Sequence, residues 1–157
     1  QTRKRKTTSP SSTTHASAEA AQRRTAEIQA GRERVAIQIK NLTQFLYLLG
    51  GITNGIELAE QANRSRRSSP VSVPPEQIAR NKAQVNESVR NVRVGLEDLE
   101  SSFRSSSILQ TYYRYVSGVG AIGRDAESQA AANRFDESGR SLIKAANQLT
   151  DALVALH

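Results

Sequence analysis

The sequence predicts an all-α protein: an antiparallel up-down-up-down four-helix bundle with a long first helix and a basic N-terminal tail. Three observations carry that expectation. Apolar residues recur at helical spacing in several long segments, and no segment alternates as a strand would. Aromatic residues make up only 4% of the chain, so Leu, Ile, Val and Ala must build the core, which suits packed helices better than a sandwich. Breaker residues cluster at a few points, dividing the chain into helix-sized pieces.

Residues 1–15 are basic and then rich in Ser, Thr and Pro. They hold too little apolar surface to offset the entropy of ordering, and a tail is expected there, followed by one helical domain over 16–157. From Ala16 the Ala, Glu, Gln and Arg content favours helix. Ile28, Val35, Leu42, Leu49 and Ile56 fall seven apart, with Ile39, Phe45, Leu46 and Ile52 widening the stripe, so a first helix is expected over about 16–66. Residues 67–75 contain three prolines and read as a linker, Pro75 and Glu76 being suited to a new helix start.

A second helix is expected over 76–104, where Ile78, Val85, Val89, Val92, Leu96, Leu99 and Phe103 form a bundle seam. Serines at 101–107 suggest a joint. A third helix with a small-residue face is expected over 107–133. A fourth, capped by Asp136, is expected over 136–157, with Leu142, Ala146, Leu149, Leu153 and Leu156 inward.

Six of the nine glycines lie in two similar stretches, around Gly50, Gly51 and Gly55 and around Gly118, Gly120 and Gly123. Tyr47, Gly50, Gly55, Gln61 and Ala62 align with Tyr115, Gly118, Gly123, Gln129 and Ala130, which suggests a duplicated helical hairpin. A glycine inside a helix costs about 1 kcal/mol relative to alanine, so these are expected to mark close helix contact, either a crossing of the first and third helices or matched contacts with a neighbour. The alternative is that both stretches are loops, NG being a turn signal.

The net charge of +7 gives a pI of about 10.2. Arg3, Lys4, Arg5 and Lys6 in the tail and Arg64, Arg66 and Arg67 at the linker account for the whole excess. Basicity therefore belongs to a tail and a linker, a patch able to attract nucleic acid, an anionic membrane surface or an acidic protein without sequence specificity. Tyr112, Tyr113, Arg114 and Tyr115 form an interface candidate, since Tyr and Arg anchor contacts.

Little points to catalysis. There is no cysteine, and the two histidines, His15 and His157, lie near the ends, leaving no catalytic residue, metal site or cofactor to nominate. GVGAIG imitates a dinucleotide fingerprint but follows no strand. Glu57 and Asp125 occupy equivalent places in the repeat and make a weak candidate for a polar site. The longest apolar run, Phe45 to Ile52, is far short of the ~20 residues that span a bilayer, and no transmembrane segment is expected.

With no methionine at its start, the chain reads as processed or truncated. A removed signal peptide would make it periplasmic or extracellular, with the cytoplasm as the alternative. The function expected is that of a non-enzymatic structural or protein-interaction bundle, exported and self-assembling through its tail and its Tyr/Arg surface. A nucleic-acid-binding or packaging protein using the tail and RSRR linker is the alternative, and a small-ligand sensor bundle the third.

Overall fold

The computed structural model describes residues 11–64 and 74–157. It contains α1 (Ser11–Arg64), α2 (Pro75–Ser105), a 3-10 turn (Leu109–Tyr112), α3 (Tyr113–Val116), α4 (Val119–Ala131) and α5 (Phe135–Ala155), with no strand among the described residues. Four helices pack against each other around one apolar core. Leu42, Val89, Leu96, Phe103, Val116, Leu142 and Leu149 are fully buried within it.

Each of the four helices has two principal neighbours. α1 packs on α2 and α5, and α4 packs on the same two, so α1 and α4 occupy opposite corners. Glu60 near the end of α1 meets Lys82 near the start of α2, while Gly31 lies against Phe103 and Leu109 at the other end. Gln38 and Gly95 meet between those points. Between α4 and α5, Ser141 donates to Gln129 Oε1 at 2.9 Å, and Gln148 donates to the Tyr115 and Ser117 carbonyls. Gly139 of α5 faces Leu49 of α1.

At 1.5 Å per residue, the 54 residues of α1 extend ~81 Å, well beyond the partners that cover it. Residues 16–26 are all exposed. Burial begins at Glu27, whose carboxylate accepts the Ser106 hydroxyl, and at half-buried Ile28. The N-terminal portion of α1 is thus a projecting arm.

Several boundaries differ from expectation for local reasons. α1 is already helical at Ser11, the first described residue and inside the segment read as tail, the good helix formers from Ala16 onward letting the helix propagate over the Ser/Thr residues before them. Its end at Arg64 is as far as it is described, and the expected extension to 66 and residues 67–73 of the expected linker 67–75 lie outside the described residues, while Pro75 already belongs to α2. Pro75 opens α2 at its first turn.

The third helix is not continuous. Ser117 leaves the helical region (ψ 126°) and Gly118 adopts φ 90°, a left-handed conformation that glycine accepts at little cost, so α3 and α4 are separate. α5 begins at Phe135 and not at Asp136. Asn133 takes a left-handed φ of 58°, and the Arg134 and Asn133 amides donate back to the Gln129 and Ala130 carbonyls, the double bond of a Schellman close. Asp136 therefore sits inside the first turn of α5, where its charge favours the helix N-terminus without capping it.

Candidate interaction site

Packing gathers a network of charged side chains into a seam between α2 and α4. Arg90, Arg93, Glu97, Glu100 and Arg104 recur at three- and four-residue steps along α2, so they line one helix face. Opposite them, Arg124 donates to Glu97 Oε1 at 2.6 Å and Arg90 to Glu127 Oε1 at 3.0 Å. Arg93 donates to Glu97 Oε2 at 2.6 Å, and its Nε lies 2.5 Å from Glu127 Oε2 as an ion pair without hydrogen-bond alignment. The Arg90 and Arg93 contacts hold the Glu127 carboxyl below its usual range, the Arg90 bond contributing most and burial opposing.

Glu100 is the most specifically used of these groups. Its Oε1 accepts the Gly118 amide and the Tyr113 hydroxyl, each at 3.0 Å, and its Oε2 accepts the Gly120 amide at 3.0 Å. A carboxylate from α2 thereby caps the N-terminus of α4, meeting the orphan amides and the positive end of the helix dipole. Burial pushes against ionisation of Glu100, but the Gly118 and Gly120 amides, Tyr113 and Arg104 together outweigh it and lower its pKa. Serine, threonine or aspartate usually caps from one residue before a helix. Nothing in the local sequence signals a cap from 18 positions away.

The two glycine stretches do not meet. A Cβ on Gly123 would come within 3.1 Å of Arg93 Cα, and one on Gly120 within 3.0 Å of Glu97 Cγ and of Glu100 Oε2. Gly120 and Gly123 thus admit α2, not α1. Around Gly50, Gly51 and Gly55 a Cβ would meet nothing within 4 Å, and all three are exposed. The expected crossing of the first and third helices is overturned, because those helices stand at opposite corners. The loop alternative fails for the first stretch, which is helical throughout, and holds only at Gly118 in the second. Two close-contact glycines that sequence reasoning passed over are Gly31, packed under Leu109, and Gly95, packed under Gln38.

The tyrosine cluster is largely committed within the chain. Tyr112, Tyr113 and Tyr115 are half-buried against the core. Arg104 donates to the Tyr113 hydroxyl at 2.6 Å, while the exposed Arg114 lies 4.7 Å from the Tyr115 ring centroid and donates to its hydroxyl. Glu57 lines a cleft of about 260 Å³ with Thr53, Lys82, Phe135 and Asp136 at one end of the bundle. Asp125 is exposed on α4 and is not among the residues lining that cleft, so the packing does not pair the two carboxylates there. Arg3, Lys4, Arg5, Lys6, Arg66 and Arg67 lie outside the described residues, and Arg64 is exposed beside Glu60 at 3.5 Å.

The outer face of α1 is chemically unlike the seam. Tyr47 is 84% exposed, Leu48 59% and Leu58 67%, interleaved with the open glycines. Among the described residues no group of three His, Cys, Asp or Glu is placed to hold a metal, and no helix is long and apolar enough to cross a membrane. No family model, curated protein or solved structure matches this chain.

Proposed function

We propose that this chain is a non-enzymatic interaction protein, an antiparallel up-down-up-down bundle that presents its long first helix to partners. The topology is supported by the order of the facing residues. Moving forward along α1 from Gly31 through Gln38 to Glu60, the partners run backward from Phe103 through Gly95 to Lys82. Along α2 and α4, Arg90 faces Glu127 and Glu100 faces Gly118, again reversed.

The single observation that carries the functional reading is the exposure of α1. Its residues 16–26 are all exposed, and farther along its apolar side chains Tyr47, Leu48 and Leu58 face away from the core. A helix that long needs a purpose beyond closing the bundle, since helical stability in proteins comes mainly from packing an apolar face. The polar side chains gathered in the α2–α4 seam, by contrast, are occupied with each other and with backbone amides. They support a structural role for that seam.

A photo-crosslinking residue placed at Ala18, Ala21 or Thr25, with Asp151 on α5 as control, tests this reading in cells that make the protein. Protein adducts from the arm in excess of the control are expected. Adducts to nucleic acid alone would replace the reading with the packaging alternative, and an arm that yields no more than the control would overturn it.

A further inference from the structure

We propose that the outer face of α1 pairs with the same face of a second copy of this chain, the two helices running antiparallel about residues 48–51. The inference rests on the reading of the chain as an interaction protein and specifies its partner.

Gln44, Leu48, Gly51, Gly55, Leu58 and Ala62 follow one another at steps of four, three, four, three and four, and every one is exposed. That is the spacing of a two-helix seam. It runs on the side of α1 opposite Leu42, Leu49 and Ile56, which the bundle buries. α1 therefore carries two apolar faces, of which the fold of one chain uses only one.

Charge and shape agree. Residues 41–56 contain no charged side chain, whereas a stretch of that length at the chain's 24% charged content would hold about four; depletion of charge is the compositional mark of an interface centre. Gly51 and Gly55, four apart, remove side chains where two backbones would meet, the small-xxx-small device of close helix pairs. Inside one chain these glycines only penalise the helix, since nothing lies within 4 Å of where their Cβ atoms would be.

The orientation follows from what bounds the uncharged stretch. Lys40 stands exposed at one end, whereas Glu57 and Glu60 at the other turn toward Lys82 and the cleft at the end of the bundle. Antiparallel pairing keeps the two Lys40 side chains apart, whereas parallel pairing would set each beside its own copy. Antiparallel register about residues 48–51 also places Leu48 of each copy over Gly51 of the other, a large side chain into a side-chain-free notch, and is isologous as a two-fold dimer requires.

The area sets the strength. From Ile37 to Ala62 the face is roughly 38 Å long and, at a helix width of roughly 10 Å, removes roughly 400 Å² per copy, about half of what a standard interface buries. Ile143 of α5, beside Leu46 and Gly50 in a cleft of about 340 Å³, widens the patch on one side. A dissociation constant on the order of tens of micromolar is expected.

Sedimentation velocity of the full chain from about 1 to 500 μM tests the pairing, with a reversible monomer–dimer transition expected in that range. Leu48→Glu and Leu58→Glu, each on an exposed side chain, should weaken the dimer at least ~10-fold with an unchanged thermal midpoint. Because the chain has no cysteine, single-cysteine variants report orientation cleanly. Mixed L48C and G51C chains should oxidise chiefly to the hetero-disulfide. Monomers throughout, a dimer indifferent to both glutamates, or disulfides formed mainly between like variants would each overturn the proposal. Binding of the monomer to anionic vesicles through Leu48 and Leu58 in place of dimerisation would do so as well. If the dimer fails while the arm still crosslinks to other proteins, only the pairing surface falls and the wider reading stands.

Discussion

Replacing Glu100 by glutamine removes a charge from beneath α4 while keeping nearly the same shape. The carboxylate accepts two backbone amides and a tyrosine hydroxyl, all at 3.0 Å. A glutamine oxygen can keep one amide, but its NH₂ group then faces the other, which is left without an acceptor in a part-buried site. An unmet donor there costs about 1–3 kcal/mol, and loss of the anion from the helix N-terminus adds about 0.5–1. With 14% of the Glu100 side chain exposed, water recovers part of this, so a net loss of about 2–3 kcal/mol is expected at pH 7. For a chain of this size that lowers the thermal midpoint by roughly 4–12 °C.

Urea unfolding followed by circular dichroism at two pH values measures it. The folded-state pKa of Glu100 is depressed, so its contribution is present above the ordinary carboxyl value of 4.5 and is lost as pH falls through the folded-state value. The gap between wild type and E100Q should therefore narrow as pH drops below that value. In amide NMR spectra of the wild type, the Gly118 and Gly120 signals should titrate together at the same acidic midpoint. A gap under about 0.5 kcal/mol at pH 7, or one that does not narrow in acid, would refute the capping argument.

Glycine substitutions should split by location. Gly123→Ala gains about 1 kcal/mol of helix propensity but drives a Cβ against the α2 backbone, so it is expected to destabilise by about 1 kcal/mol net in denaturant titrations. Gly55→Ala meets nothing and should stabilise the monomer by about 0.5–1 kcal/mol when melted at low micromolar concentration. Gly118→Ala forces a side chain into φ 90° and should cost about 1–3 kcal/mol, seen as a lower urea midpoint. Removing residues 1–26 should leave the midpoint within about 0.5 kcal/mol of the full chain, because residues 16–26 are exposed throughout and add nothing to the apolar core. Glu60 and Glu127 also have depressed pKa values, Glu60 mainly through its Lys82 bond and Glu127 through Arg90. Wild-type stability should accordingly decline as pH falls below the ordinary carboxyl range and hold from there to neutrality, as a pH series of unfolding midpoints would show.

Heptad spacing alone identified Val35, Leu42, Leu49 and Ile56 on α1, Val85, Val89, Leu96, Leu99 and Phe103 on α2, and Leu142 and Leu149 on α5, all buried in the structure. It also located the proline start of α2, because helical periodicity and proline geometry are local properties of the chain. Tertiary structure decided which helices became neighbours, and hence what each glycine is for. Gly123 and Gly55 look alike in sequence, yet one admits Arg93 of α2 and the other opens to solvent. Glu100 likewise reads as one more surface carboxylate until α4 is laid beside it. Periodicity specifies which face of a helix is buried. What that face, or its opposite, meets depends on contacts between segments far apart in the chain, and those are set only when all four helices close on a shared core.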